Sequence, residues 1–181
     1  MNVERARQLV GEMLIYCFVM VLVTGAYLAF YYSPSGDQVA YDGGYEPLRG
    51  VMMSEAYDSS LRISFDVRGG LLFRQLHHQF SSLLVVGAVL WAMLGHFRYV
   101  LALAGLGLVV LGVLGGYGSV DSLGWGWVPI PAWYGLHLLA ALTMIVTLVI
   151  SARREAATKP RTPGFIVLTL ALVVLLFYWP I

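Results

Sequence analysis

The sequence has 181 residues, of which 59% are hydrophobic and only 12% are charged. A soluble domain of this length carries roughly twice that charged fraction, so most of this chain is expected to lie in lipid. The net charge of +1 gives no basic surface for nucleic acid and excludes that class of partner. The single cysteine, Cys17, excludes an internal disulfide and a covalent haem site of the CxxCH type.

Five apolar segments of roughly the 20 residues that a bilayer requires follow one another along the chain. They occupy residues 9–32, 70–95, 99–117, 131–151 and 164–179. The pattern predicts an all-α integral membrane protein with a four-helix bundle in residues 1–151. Residues 152–181 are predicted to form a cytoplasmic link and one additional C-terminal membrane helix. The first segment is long enough to span a bilayer and precedes no A-x-A cleavage site, so we expect it to be retained.

The positive charges predict the topology in a bacterial plasma membrane. Seven basic residues belong to the N-terminus, the link after the second segment and the link after the fourth: Arg5, Arg7, Arg98, Arg153, Arg154, Lys159 and Arg161. The opposite side has four arginines diluted by seven acidic residues. We therefore expect the N-terminus to be cytoplasmic and the C-terminus to lie outside.

Two connections are expected on the outer side. Residues 33–69 form a long loop, a feature that usually indicates a function or a covering role, and residues 51–67 have the composition of an amphipathic surface helix. Residues 118–130 are rich in Gly, Trp and Pro, and Trp125 and Trp127 suit the headgroup layer.

The histidines carry the predicted chemistry, because a ligating residue inside a membrane span is costly and indicates function. His77 lies about seven residues inside the outer end of its helix, or roughly 10 Å, and His137 lies about six residues inside, or roughly 9 Å. Two imidazoles at matched depth predict a bis-histidine haem that carries electrons. The alternative is that each histidine only forms hydrogen bonds within the bundle. His78, turned about 100° away, is an alternative ligand to His77, and His96 is expected at the cytoplasmic interface.

Four stretches of the chain carry a resemblance to a known family. They are VTGAYLAFYYSP, VRGGLLFRQLHHQF, GGYG and PAWYGLHLL, which end or open the first four segments. Together they resemble the N-terminal four-helix half of cytochrome b from quinol:cytochrome c oxidoreductases, especially the actinobacterial type. The resemblance covers roughly residues 9–151.

The resemblance implies a ligand set. In that family two haems lie between the second and fourth helices, and each helix supplies two histidines fourteen residues apart. His77 and His137 match the outer pair, whereas the inner positions are Trp91 and Ser151, so one haem b is expected. The resemblance also implies that Arg74 pairs with a haem propionate.

Glycines of the same family let helix backbones approach each haem face. Gly25 and Gly116 match the outer positions, and Gly11 matches the inner position of the first helix. Ala102 stands at the inner position of the third helix. The outer haem position is therefore expected to keep both of its glycines.

The leading hypothesis is a haem-b electron-transfer subunit of a larger membrane complex, rather than an enzyme by itself. It would exchange electrons between an outer-side redox protein (a Rieske protein, a cytochrome c or a dehydrogenase) and quinone, with menaquinone implied by the actinobacterial likeness. The space near Gly11, Trp91 and His96 is a candidate quinone site. The chain lacks the family's PEWY motif, so quinol bifurcation is not expected. The alternatives are an assembly subunit with a degenerate fold and one half of a split cytochrome b.

Overall fold

The computed structural model describes residues 3–121 and 126–178. Its helices are α1 (Val3–Ala29), α2 (Glu55–Phe65), α3 (Gly70–Leu94), α4 (Val100–Ser119), α5 (Ile130–Thr158) and α6 (Pro163–Tyr178). Within the described ranges, four of them (α1, α3, α4 and α5) are long and apolar enough to cross a membrane. The predicted helical membrane fold is confirmed. Trp125, expected in the headgroup layer, and Trp179, expected at the end of the fifth apolar segment, lie outside the described residues.

The fifth apolar helix is the shortest of those predicted to cross the membrane. α6 has 16 residues, which at about 1.5 Å per residue gives about 24 Å, less than the roughly 30 Å of a hydrocarbon core. Its side chains Phe165 and Val173 are buried, and α6 packs on α1 and α3.

α5 runs without a break through residues 151 and 152, so the expected domain boundary falls inside a helix.

The bundle interior is built from two helix pairs, α1 with α3 and α4 with α5. Its core contains Leu14, Leu84, Ala88, Trp91 and Met144, each less than 9% exposed. Apolar residues also cover the outside of these helices. A helix that is apolar on every face is expected where lipid is the solvent.

One end of the bundle, which we call the α2 end, carries the long connection between α1 and α3. Strands β1 (Gln38–Ala40) and β2 (Met52–Ser54) pair antiparallel, with Val39 opposite Met53. Ser54 caps α2, because its Oγ accepts a hydrogen bond from the Tyr57 backbone N–H at 3.3 Å. A helix in the second half of this loop is confirmed, but it begins four residues later than residue 51 because β2 comes first.

Tyr32 joins the ends of two membrane helices at the α2 end. Its phenol donates a hydrogen bond to the Ser119 carbonyl at the end of α4, and its ring lies 5.1 Å from that of Tyr134 on α5. A tyrosine phenol is protonated at neutral pH, so Tyr32 remains a donor there.

The opposite end, which we call the turn end, holds the N-terminus of α1, the α3–α4 turn and the α5–α6 link. Three ion pairs join α1 to α5 and the link: Arg7–Glu155 at 3.1 Å, Glu12–Arg161 at 2.9 Å, and Glu4–Lys159. These ion pairs provide partners for the charged residues in the first turns of α1. Accordingly, α1 begins at residue 3 rather than at residue 9.

Gly70 offers a test of the junction between α2 and α3. A Cβ at this position would overlap the backbone carbonyl oxygen of Ile63. Because backbone cannot rotate away, we expect Gly70→Ala to lower the free energy of unfolding by about 2 kcal/mol, measured by denaturant titration in detergent. Gly135→Ala is the matched control, since no atom lies within 4 Å of its added Cβ. It should be neutral or stabilising by about 0.5–1 kcal/mol. Equal effects would contradict this close packing.

Candidate functional site

The imidazole rings of His77 on α3 and His137 on α5 lie next to each other inside the bundle. Their centroids are 6.2 Å apart and their planes are tilted by 59°. Both residues are half-buried. The two histidines that the sequence singles out are therefore neighbours, although 60 positions separate them along the chain.

Thr24 of α1 orients the ring of His77. The Thr24 hydroxyl lies 3.1 Å from His77 Nδ1 and donates its own hydrogen to the Met20 carbonyl at 2.7 Å. Because that hydrogen is used, the hydroxyl oxygen accepts, and the imidazole donates from Nδ1. This tautomer leaves the Nε2 lone pair of His77 free to bind a metal.

His137 is held in the same way by a backbone group. Its Nδ1 lies 2.7 Å from the carbonyl oxygen of Gly112 on α4. A carbonyl can only accept, so Nδ1 of His137 is the donor and Nε2 is again free. Metal-ligating histidines characteristically donate their second ring nitrogen to such a group. Neither Thr24 nor Gly112 was identified from the sequence, although Thr24 directly precedes Gly25.

Glycines of α1 and α4 bring the backbone against these two rings. A Cβ on Gly25 would lie 3.0 Å from Cε1 of His77, and one on Gly116 would lie 3.4 Å from Nδ1 of His137. Gly115 is tighter, because its Cβ would lie 2.8 Å from the His137 backbone nitrogen. The expected glycines therefore stand beside the histidines, one next to each.

The distance between the two rings is of the size that a metal ion held by two imidazoles would require. An imidazole–metal bond is about 2 Å long, so two imidazoles on opposite sides of one metal have centroids about 6 Å apart, close to the observed 6.2 Å. In the described residues, no three His, Cys, Asp or Glu side chains come together as a metal site. Two imidazoles fit haem iron in particular, because the macrocycle provides the remaining nitrogen ligands.

Arg74 lies one helical turn before His77, and its guanidinium contacts α2. Its Nη1 donates to Ser64 Oγ at 2.6 Å and reaches the Ser60 carbonyl at 3.5 Å. Arg74 thus fixes α2 across the start of α3. A guanidinium has five donors, so these contacts leave capacity for an additional carboxylate.

The other two histidines lie elsewhere. His78 is exposed on α3, and its ring stands edge-on to that of His77 with centroids 6.5 Å apart. His96 is exposed in the α3–α4 turn with φ of +50°. Of the two histidines proposed as the α3 ligand, His77 is the one whose ring faces His137.

Trp91 occupies the inner position, about 21 Å along α3 from His77 at the helical rise. Its side chain is fully buried (0% exposed). A Cβ on Gly11 of α1 would lie 3.2 Å from the indole Nε1, and one on Gly105 of α4 would lie 3.0 Å from its Cζ3. The indole is thus packed between two helix backbones. Gly105 is thus the α4 glycine that lies against Trp91, while Ala102, which the resemblance places at the family's inner glycine position, is fully buried.

The surroundings of Trp91 are also occupied by protein side chains. The ring of Tyr99 packs on Trp91 edge-on with centroids 5.7 Å apart, and the Tyr99 hydroxyl forms a hydrogen bond of 2.9 Å with Ser151 Oγ. The Arg7 guanidinium lies over the Tyr99 ring at 4.5 Å and pairs with the buried Glu155. Side chains therefore fill the space suggested for quinone at Gly11 and Trp91.

The chain is similar to curated proteins named cytochrome bc1 complex cytochrome b subunit. The Streptomyces coelicolor protein is 44% identical over 116 residues, which is 60% of this chain and 21% of the relative. The Mycobacterium tuberculosis protein is 51% identical over 82 residues, covering 45% of this chain and 15% of the relative. For Corynebacterium diphtheriae the identity is 51% over 70 residues, or 39% and 13% of the two chains.

These similarities confirm the predicted resemblance to actinobacterial cytochrome b. The chain spans about a fifth of the length of the Streptomyces relative that it matches. No family model matches the chain. Together with the four membrane-length helices, the similarity supports a multi-pass membrane protein related to cytochrome b.

Trp91 provides a test of the inner packing. Removing a buried aromatic side chain costs about 3–5 kcal/mol in soluble cores, and we expect Trp91→Ala to lower the free energy of unfolding by about 3 kcal/mol through the void that it leaves. Phe30→Ala, at an 86% exposed position, is the control and should change it by less than about 0.5 kcal/mol. If both variants unfold alike in a denaturant titration, the indole does not support the bundle.

Proposed function

We propose that this chain is a haem-b electron-transfer subunit of a quinone-linked oxidoreductase complex in the bacterial plasma membrane. The proposal rests on one observation, the 6.2 Å separation of the His77 and His137 ring centroids. The hydrogen bonds at both Nδ1 atoms add support, because they leave both Nε2 atoms available. Similarity to subunits named cytochrome b agrees with this chemistry.

The protein's part in this function is to hold the group and fix its ligands. A haem bound there would carry one electron at a time between its ferric and ferrous forms. His77 and His137 would hold the haem iron through their imidazole nitrogens, while Thr24 and the Gly112 carbonyl would keep Nδ1 of each ring engaged as a donor. Arg74 would bind a propionate with the donors that Ser64 and Ser60 leave free.

A single haem in the outer half of the membrane is the expected content. The inner position, about 21 Å away, is filled by the buried Trp91 indole, and Ser151 is hydrogen-bonded to Tyr99. Electrons would therefore be exchanged near the α2 end. We place this end outside, with the N-terminus in the cytoplasm, because the turn end carries most of the arginine and lysine residues.

The partners follow from this arrangement. A one-haem subunit needs a second electron carrier, so we propose an outer-side redox protein at the α2 end and menaquinone in the lipid, within a complex of further membrane subunits. The assembly-subunit alternative shares the fold but predicts no haem. Haem content therefore separates the two functions.

Replacement of the ligands tests the proposed function directly. We expect one low-spin haem b per purified chain, measured by the pyridine haemochrome method and a reduced-minus-oxidised spectrum. His77→Ala and His137→Ala should each abolish it, because one remaining imidazole cannot form the six-coordinate site. His96→Ala, at an exposed turn position, should keep full haem content. Absence of haem from the unmodified chain would reject electron transfer and leave the assembly role.

Thr24 tests how the site is tuned. Thr24→Val removes the acceptor of the His77 Nδ1–H at nearly constant volume, and we expect a roughly 10–100-fold loss of haem affinity in a titration of the apoprotein with haem. Thr24→Ser keeps the hydroxyl and should restore most of the affinity. Equal affinities for the valine and serine variants would mean that the hydrogen bond does not contribute.

A further inference from the structure

One face of α3 carries polar side chains inside the membrane span. Gln75, His78 and Ser82 are all exposed and follow one another at intervals of three and four residues, which places them on one side of the helix. Leu71 and Val86, the exposed residues that flank them on this side, are apolar. At the helical rise, His78 lies about 12 Å and Ser82 about 18 Å from the start of α3, which is within the depth of a hydrocarbon core.

Two of these polar groups have no hydrogen-bond partner in the part of the chain that the structure describes. Neither the His78 ring nor the Gln75 amide forms a hydrogen bond with residues 3–121 or 126–178, whereas Ser82 Oγ donates to the His78 carbonyl at 3.0 Å. Gln79 differs, because its amide donates to the Phe177 carbonyl at 2.6 Å and brings the end of α6 to the border of this face. Unpaired polar groups in hydrocarbon are costly and indicate a ligand or a partner.

The exposed polar face lies directly beside the proposed haem ligand. The His78 ring is edge-on to the His77 ring, with centroids 6.5 Å apart and planes at 83°. The unpaired polar groups are confined to the two turns around His77, while the rest of this face is apolar. A molecule that binds at His78 would therefore be separated from the haem ligand by a single imidazole.

We infer that Gln75, His78 and Ser82 form the binding site for the head group of a quinone that arrives through the lipid. Quinone carbonyl oxygens accept hydrogen bonds, and an imidazole N–H, an amide and a hydroxyl can supply them. An open helix face suits a ligand that diffuses within the bilayer. The inner space cannot take this role because Trp91 fills it. This inference rests on the proposed function, since the haem at His77 would be the electron partner of the quinone.

The test uses the full chain in lipid nanodiscs, with 2-heptyl-4-hydroxyquinoline N-oxide as a fluorescent head-group probe and a one-isoprene menaquinone as its competitor. We expect His78→Leu and Gln75→Leu each to raise the dissociation constant of the probe about tenfold, the effect of losing one hydrogen bond of about 1.4 kcal/mol. Haem content and spectrum should stay unchanged. Thr143→Leu is the matched control, because Thr143 is another exposed polar residue of a membrane helix, α5, and it should bind the probe as the unmodified chain does.

Two outcomes would overturn the inference. Probe binding that is unaffected by both α3 variants would reject a head-group site on this face, and equal weakening by Thr143→Leu would indicate probe partitioning without a site. Haem content, measured in the same samples, decides the proposed function separately. If the chain contains one haem but its affinity for the probe does not depend on His78, only the quinone site is rejected. A chain without haem rejects the proposed function, and the probe titration still decides whether the face binds the head group.

Discussion

The proposed chemistry depends on the placement of two imidazoles at one depth in the bundle, each with its Nδ1 hydrogen-bonded to another helix. Thr24 of α1 fixes His77, and the Gly112 carbonyl of α4 fixes His137. The four long helices thus each supply one part, two of them a histidine and two of them the group that is hydrogen-bonded to its Nδ1. The glycines beside the rings are required by the same arrangement, because a side chain at Gly25 or Gly115 would crowd a histidine.

The two ends of the bundle interior differ in what fills them. Near the α2 end, the half-buried rings of His77 and His137 lie side by side, with centroids 6.2 Å apart. Near the turn end, Trp91 is packed between Gly11 and Gly105, and ion pairs such as Arg7–Glu155 close the end. A buried ion pair stabilises only when both partners are present, so its members are expected to tolerate substitution poorly. This asymmetry is the physical basis for expecting one haem instead of two.

The sides of α3 differ in the side chains that they carry and in the roles proposed for them. One side presents His77 to the bundle interior, while Arg74 holds α2 through Ser64 and Ser60. Another side presents Gln75, His78 and Ser82 to the surroundings of the bundle. Because adjacent positions on a helix differ by about 100°, two consecutive histidines can serve an interior ligand site and an exterior binding face. The proposed electron path from quinone to haem is correspondingly short.

The sequence by itself determined the membrane class, the approximate bounds of the four long helices, and the matched depth of His77 and His137, because apolar run length and histidine depth are local properties of the chain. It predicted a fifth membrane span, whereas α6 is a shorter apolar helix of 16 residues. It did not determine the β1–β2 hairpin, whose three-residue strands depend on long-range pairing, or the start of α1 at residue 3, which depends on ion pairs with α5 and its link. Only the tertiary structure identified Thr24 and Gly112 as the groups that orient the ligands. It also showed that Gly105 of α4 lies against Trp91. Such contacts join residues of different helices, and their existence depends on helix rotation and packing, which sequence spacing does not specify.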